Sequence, residues 1–171
     1  PQFKNLERFK KLNSYANRNL FKIDFIFLLS LLTVDGTDNV DYFLYKFNLS
    51  KKNQKRLKLI DLFYKEKNNI KNFTEKNLNK IFYLNGKENI IDIINFRLFT
   101  SNKVEKKLIK LIEIYKKKVI PTMPIGADIL MNKYGIPEGK ILGKKLRMIE
   151  EIWVGNGFII SEKQIQKIAK S

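Results

Sequence analysis

The chain has no cysteine and no histidine. Their absence excludes disulfides, thiol nucleophiles, zinc sites of the Cys/His kind and histidine general bases. It also fits a reducing compartment, so a cytoplasmic location is the expectation. Acidic side chains are scarce: 17 Asp and Glu stand against 34 Lys and Arg, a formal net charge of +17 over 171 residues. Long apolar runs are missing too. The longest, "FIFLLSLLTV", covers Phe25 to Val34, whereas a membrane span needs about 20 such residues. With Lys22 and Asp24 just before it, this run reads as a buried helix. No signal peptide opens the chain, and no membrane contact is expected. Pro1, standing where a start methionine would, marks a trimmed fragment in this reading.

What is present allows one domain or two small ones. The 44% of hydrophobic residues can bury a core. The positive excess points to a polyanionic partner, nucleic acid or an acidic membrane surface. Nearly all of it is lysine, and asparagine and isoleucine are abundant as well. An AT-rich coding bias produces that mix without selection for binding, so the placement of the charges matters more than their number.

Nearly every segment has helical period. Leu6, Phe9 and Leu12 fit one face of a first helix. "LFKIDFIFLLSLLTV" is a second, apolar most of the way round and therefore central. "DGTDN", Asp35 to Asn39, is a loop by its turn residues, and "VDYFLYKF" is a short third helix. Ser50 looks like an N-cap for a helix with Leu57, Ile60 and Tyr64 at i, i+3 and i+7. Thr74 caps another, which Gly86 ends, and Glu88 to Phe99 makes one more. Asn102 precedes an amphipathic helix with Val104, Leu108, Leu111, Ile112 and Tyr115 on one side. Lys106, Lys107, Lys110 and Lys116 to Lys118 occupy the other. No strand pattern persists. The expected class is all-α, an irregular multi-helix bundle of about nine or ten helices. "IPTMPIG", with two prolines in four residues, cannot continue a helix. The internal boundary is placed there, giving residues 1–119 and 120–171.

The stretch "PIGADILMNKYGIPEGKILGKKLRMIEEIW", Pro124 to Trp153, is the most informative. A short helix, Gly126 to Asn132, leads to the turn "KYGIPEG". Gly135 suits a left-handed helix end, and Pro137 suits the first turn of the next helix. That helix has an apolar stripe at Leu142, Leu146, Ile149 and Trp153. Lys140, Lys144 and Arg147 lie on a neighbouring face, and Glu151 continues the row. Basic residues at its start and acids, Glu150 and Glu151, towards its end oppose the helix macrodipole. The arrangement makes sense if an anion meets the helix start, where free backbone N–H groups can hold a phosphate. Gly143 within the helix costs about 1 kcal/mol against alanine. Gly139 and Gly143, one turn apart, let either a sugar–phosphate backbone or another helix approach closely; both readings stay open. The layout resembles a helix–hairpin–helix motif, from which its four-residue glycine spacing departs.

"PIGADILMNKYGIPEGKILGKKLRMIEEIWVGNGFIIS" closely resembles the C-terminal segment of bacterial tRNA nucleotidyltransferases, the CCA-adding enzymes, and their poly(A) polymerase relatives. "FNLSKKNQKRLKLI" and "IFYLNGKENIIDIINFRL" are similar to stretches of the α-proteobacterial branch, so the resemblance covers most of the chain. It implies the helical neck, body and tail of such a protein, with a catalytic head domain absent from this chain. The head's glycine-serine turn before an Asp-x-Asp is missing; "DGTD" and "DNVD" read as loop acids. The neck's Glu-Asp-x-x-Arg nucleotide template is missing too. The whole enzyme would add nucleotides, CCA or poly(A), to RNA 3′ ends using Mg²⁺ and ATP or CTP held by the missing domains. This chain would position tRNA or another RNA and would be inactive alone, with no cofactor, catalytic residue or metal ligand of its own. Its partners would be RNA and the missing N-terminal catalytic domain.

The expected RNA contacts are Lys140, Lys144 and Arg147, then Lys145, with Gly139 and Gly143 for backbone approach. A secondary basic patch comprises Lys51, Lys52, Lys55 and Arg56, with Lys58 beside it; Lys116 to Lys118 is similar. Trp153 reads as core, and Tyr83 and Tyr134 as core or rim positions, although the two tyrosines could stack on bases. One alternative function is a helical protein-interaction or structural domain with non-specific charge. Another is a DNA-binding helix-turn-helix protein, against which stands the lack of Asn and Gln for base readout on the Lys140–Arg147 face.

Overall fold

Asp24 starts the first described helix by accepting a 2.9 Å hydrogen bond from the Phe27 amide. Helix α1, Phe25–Thr33, buries Ile26, Phe27, Leu29 and Leu31. Its two hydroxyls satisfy themselves locally, Ser30 on the Phe27 carbonyl and Thr33 on that of Leu29. Polar side chains can therefore sit in an apolar interior without orphaned groups. Asp35 next accepts from the amide and hydroxyl of Thr37, forming a tight turn. After it come α2, Asn39–Lys46, and α3, Lys51–Lys65, the latter capped by Ser50.

The chain is described here by a computed structural model, which covers Glu7 and residues 24–66, 73–101 and 105–170. The expected first helix around Leu6, Phe9 and Leu12, together with Asn102 and Val104, lies outside these residues. Within them every regular element is helical and none is a strand. Eight helical segments have their ranges among the described residues, against nine or ten expected. The remaining five are α4, Glu75–Thr100; α5, Lys106–Lys117; α6, Ala127–Tyr134; α7, Lys140–Gly155; and α8, Glu162–Lys170. The two helices expected on either side of Gly86 are both present within α4, separated by a kink at Gly86, whose φ 83 and ψ 176 are non-helical. That backbone is open to glycine and strained for other residues. No helix among the described residues is long and apolar enough to cross a membrane.

The chain forms two compact units. One comprises Pro1–Asn72 with Asn85–Val119, the other Phe73–Leu84 with Ile120–Ser171. In the first, Leu31, Leu57, Ile60, Ile94, Phe99 and Ile112 are fully buried. Phe27 packs on Phe99 and Tyr64 on Phe96, both with ring centroids 5.6 Å apart. Arg56 is buried among them, held by Asp24 and Asp92.

In the second unit, Leu130, Ile136, Leu142, Ile149, Ile165 and Ile168 form one core. The 3.6-residue spacing of Leu142, Ile149 and Trp153 puts them on one side of α7, so burying them aims the opposite side outward. Beside this core Trp153, Tyr83 and Phe158 make a three-ring cluster. Trp153 is 2% exposed, a core residue. Phe158 has φ 71, rare for a bulky side chain. It is held there by its amide's 2.8 Å hydrogen bond to the Trp153 carbonyl and by its two ring contacts.

Candidate nucleic-acid interface

Gly135 stops α6 at φ 64, ψ 24, with its amide on the Met131 carbonyl and the Ile136 amide on that of Leu130. These two bonds satisfy the last carbonyls of the helix. Pro137 falls in the connection that follows, not in the first turn of α7 as expected; Gly139 is the N-cap. Gly139 has φ 140 and carries no capping side chain, and the first turn of α7 holds no acid. Its N-terminal amides and positive dipole end are thus unneutralised from within.

Residues 140, 144, 147 and 151 recur every three or four positions, so they lie along one face of α7. All four are exposed. Lys140, Lys144 and Arg147 form no ion pair among the described residues. With Gly143, Met148 and Glu151 they line a surface groove of about 470 Å³. Gly143 forms the notch in it. A Cβ built there, or on Gly139, would have no described atom within 4 Å. No described helix of this chain uses either glycine for close packing.

Lys145 lies elsewhere. Its ammonium donates to the carbonyls of Ile168 at 2.8 Å and Ala169 at 3.1 Å, closing the C-terminal end of α8. A cation at a helix C-terminus meets both free carbonyls and the negative end of the dipole. Lys145 therefore stitches α7 to α8 and is not on the groove face.

The secondary patch divides in the same way. Lys51, Lys52 and Lys55 are exposed at the start of α3, and Lys52 pairs with Glu88 at 2.8 Å. Arg56 is only 8% exposed. Its guanidinium forks onto Asp24 at 2.7 and 3.2 Å and donates from Nε to Asp92 at 2.8 Å. Burial opposes its charge, but the bonds to Asp92 and Asp24 prevail and hold its pKa above the ordinary value. A guanidinium so enclosed is inaccessible to a phosphate.

Two features escaped the sequence reading. Tyr83 donates its hydroxyl to Glu150 at 2.6 Å. No sequence signal connects residues that far apart. Helix α8 did leave one: "SEKQ" is a capping box. The Ser161 amide and hydroxyl both donate to the Gln164 side chain, and the Gln164 amide donates weakly to the Ser161 hydroxyl oxygen.

The chain matches no protein-family model, no curated protein and no solved structure.

Proposed function

We propose that this chain binds folded RNA through the exposed face of α7, as the helical C-terminal part of an RNA nucleotidyltransferase of the CCA-adding or poly(A)-adding kind. The observation that carries the binding reading is the groove itself. Three unpaired cations surround a glycine notch at an uncapped helix start, and no described neighbour fills it. A sugar–phosphate backbone fits that chemistry: phosphates meet Lys140, Lys144, Arg147 and the free amides, and the ribose passes over Gly143. The nucleotidyltransferase reading rests on the resemblance of the Pro124–Ser161 segment. On it, catalysis with Mg²⁺ and ATP or CTP belongs to a separate head domain, the protein is cytoplasmic, and this chain contributes remote binding energy that positions the RNA 3′ end.

The test is tRNA binding at several salt concentrations, with duplex DNA of equal charge as control. Tighter binding to tRNA is expected, with log affinity falling by roughly 0.7 to 0.9 per neutralised phosphate per log unit of salt. Changing Lys140, Lys144 and Arg147 to Gln should flatten the slope by about one for each phosphate that is no longer neutralised. An unchanged slope would remove α7 from the interface. A second reading, a protein-docking face, is favoured by Ile141 and Met148, which are 61% and 38% exposed on the same helix. Salt-insensitive capture of a partner protein, abolished in Ile141→Ala, would support it instead.

A further inference from the structure

Helix α2 is an odd element for a folded core. Of its eight residues only Val40 is buried. Tyr42 is 62% exposed and Tyr45 91%, and Phe47, just beyond the helix, 49%. Three large aromatic rings within six residues thus meet solvent. Phe43 and Phe47 stack at 4.5 Å with 28° between their planes, which fixes the Phe47 ring.

The charges around these rings are sorted along the helix. Asp38 and Asp41 stand at its N-terminal end and Lys46 at its C-terminal end. Helix α3 runs antiparallel alongside. Lys58 pairs with Asp41 at 3.8 Å. The Lys65 ammonium is held above its ordinary pKa first by Asp61 and then also by the fields of Asp41 and Asp38. Residue 41 therefore faces 58. Both helices rise about 1.5 Å per residue, so Tyr45 lies level with residues 54 and 55, and Phe47 with the start of α3. Lys51 and Lys55 are exposed there and form no ion pair among the described residues. Lys46 reaches over the Tyr42 ring, 6.0 Å from its centroid. The acids are thus gathered at one end, and the aromatic end is flanked by cations.

From this juxtaposition we propose a second binding site: Tyr42 and Tyr45, three positions apart on one face of α2, form a stacking platform for the bases of an unpaired polynucleotide strand, whose phosphates meet Lys46, Lys51 and Lys55. Exposed rings offer faces to any base, and the lysines hold the backbone that joins successive bases. An aliphatic docking face would need neither flat rings nor a cationic rim. The site takes unpaired strand, whereas the α7 groove is read as taking the backbone of folded RNA. It stands on its own observations and does not depend on α7.

The test is binding of labelled single-stranded oligo(U) by the whole chain at low salt, with oligo(dT) and a duplex RNA beside it. Tyr45→Ala should weaken oligo(U) by about 5- to 150-fold, the range for removing one base stack. Tyr45→Phe should retain binding, and Tyr45→Leu should behave as Tyr45→Ala. Oligo(dT) should bind as well as oligo(U), because stacking ignores the sugar, and the duplex should be indifferent to Tyr45→Ala. Unaltered melting temperatures would show that the variants fold. The proposal is overturned if the wild-type chain does not bind oligo(U), if Tyr45→Ala leaves the affinity unchanged, or if Tyr45→Leu restores it. It is also overturned if sedimentation shows a dimer that Tyr45→Ala dissolves, since the face then serves self-association. The Lys140, Lys144 and Arg147 triple change should spare oligo(U), which separates failure at this site from failure at α7.

Discussion

Arg56 meets Asp92 inside the first unit, Nε to Oδ2 at 2.8 Å, with the two side chains only 9% and 10% exposed. The other edge of the guanidinium holds Asp24, whose Oδ1 also accepts from the Phe27 amide of α1. One arginine thus ties the start of α1 and the middle of α3 to α4. Burial pushes the Asp92 carboxyl above its ordinary pKa despite Arg56. At Asp24 burial also acts upward, but the bonds from Arg56 and the Phe27 amide bring the pKa below the ordinary value. Arg56→Ala should destabilise the first unit by about 3–5 kcal/mol, because it strands buried carboxylate. Denaturant unfolding checks this. Pairing Arg56→Met with Asp92→Leu should recover most of the loss.

Gly143→Ala should raise stability by about 1 kcal/mol, since the site is helical, exposed and free of neighbours. A glycine needed for packing would respond in the opposite direction in a thermal melt. Gly143→Leu should fill the notch, weakening tRNA binding with little change in the melt. These two variants decide between groove and packing.

Lys145→Met should cost about 1–2 kcal/mol by freeing the Ile168 and Ala169 carbonyls at the end of α8. Hydrogen exchange should rise in α8 first. The salt slope of tRNA binding should stay as in the wild type. A reduced slope would return Lys145 to the interface.

The Tyr83 phenol is pushed up to about 12 by its bond to Glu150, with burial adding to it. The folded state therefore keeps a proton that the unfolded chain gives up near pH 10. The stabilisation is fully present below pH 10 and is lost as pH rises towards 12. Tyr83→Phe should remove one phenol titrating near 12 from an ultraviolet titration and should reduce the alkaline loss of stability. If the phenolate titration is unchanged, Tyr83 is not bonded to Glu150 in solution.

Much of the local structure was legible because its causes are local. Ser50 opens α3, and the carbonyl and hydroxyl oxygens of Thr74 accept from amides at the start of α4. Gly135 ends α6 because a left-handed residue costs glycine little. Apolar residues recurring every three or four positions marked Leu57 and Ile60, Leu108 and Ile112, and Leu142 and Ile149, all of which are buried. Two starts were missed. Pro137 suggested an earlier beginning for α7, but the turn at Glu138 and Gly139 delays it. The Ser161 capping box was present and unread.

The fate of each basic residue was another matter. Lys144 and Lys145 are neighbours in sequence, and Lys55 and Arg56 likewise, yet one of each pair is free and the other engaged. Sequence by itself determined that the chain is helical, where most helices begin and end, and which stripes are apolar, since these depend on residues a few positions apart. Tertiary structure alone decided that Arg56 closes on Asp24 and Asp92, 32 and 36 residues away, and Lys145 on carbonyls 23 and 24 away. It also left Lys140, Lys144 and Arg147 around an unfilled glycine. A cation's partner is set by which carboxylate or carbonyl packing brings within about 3 Å, and no periodicity in the chain records that distance.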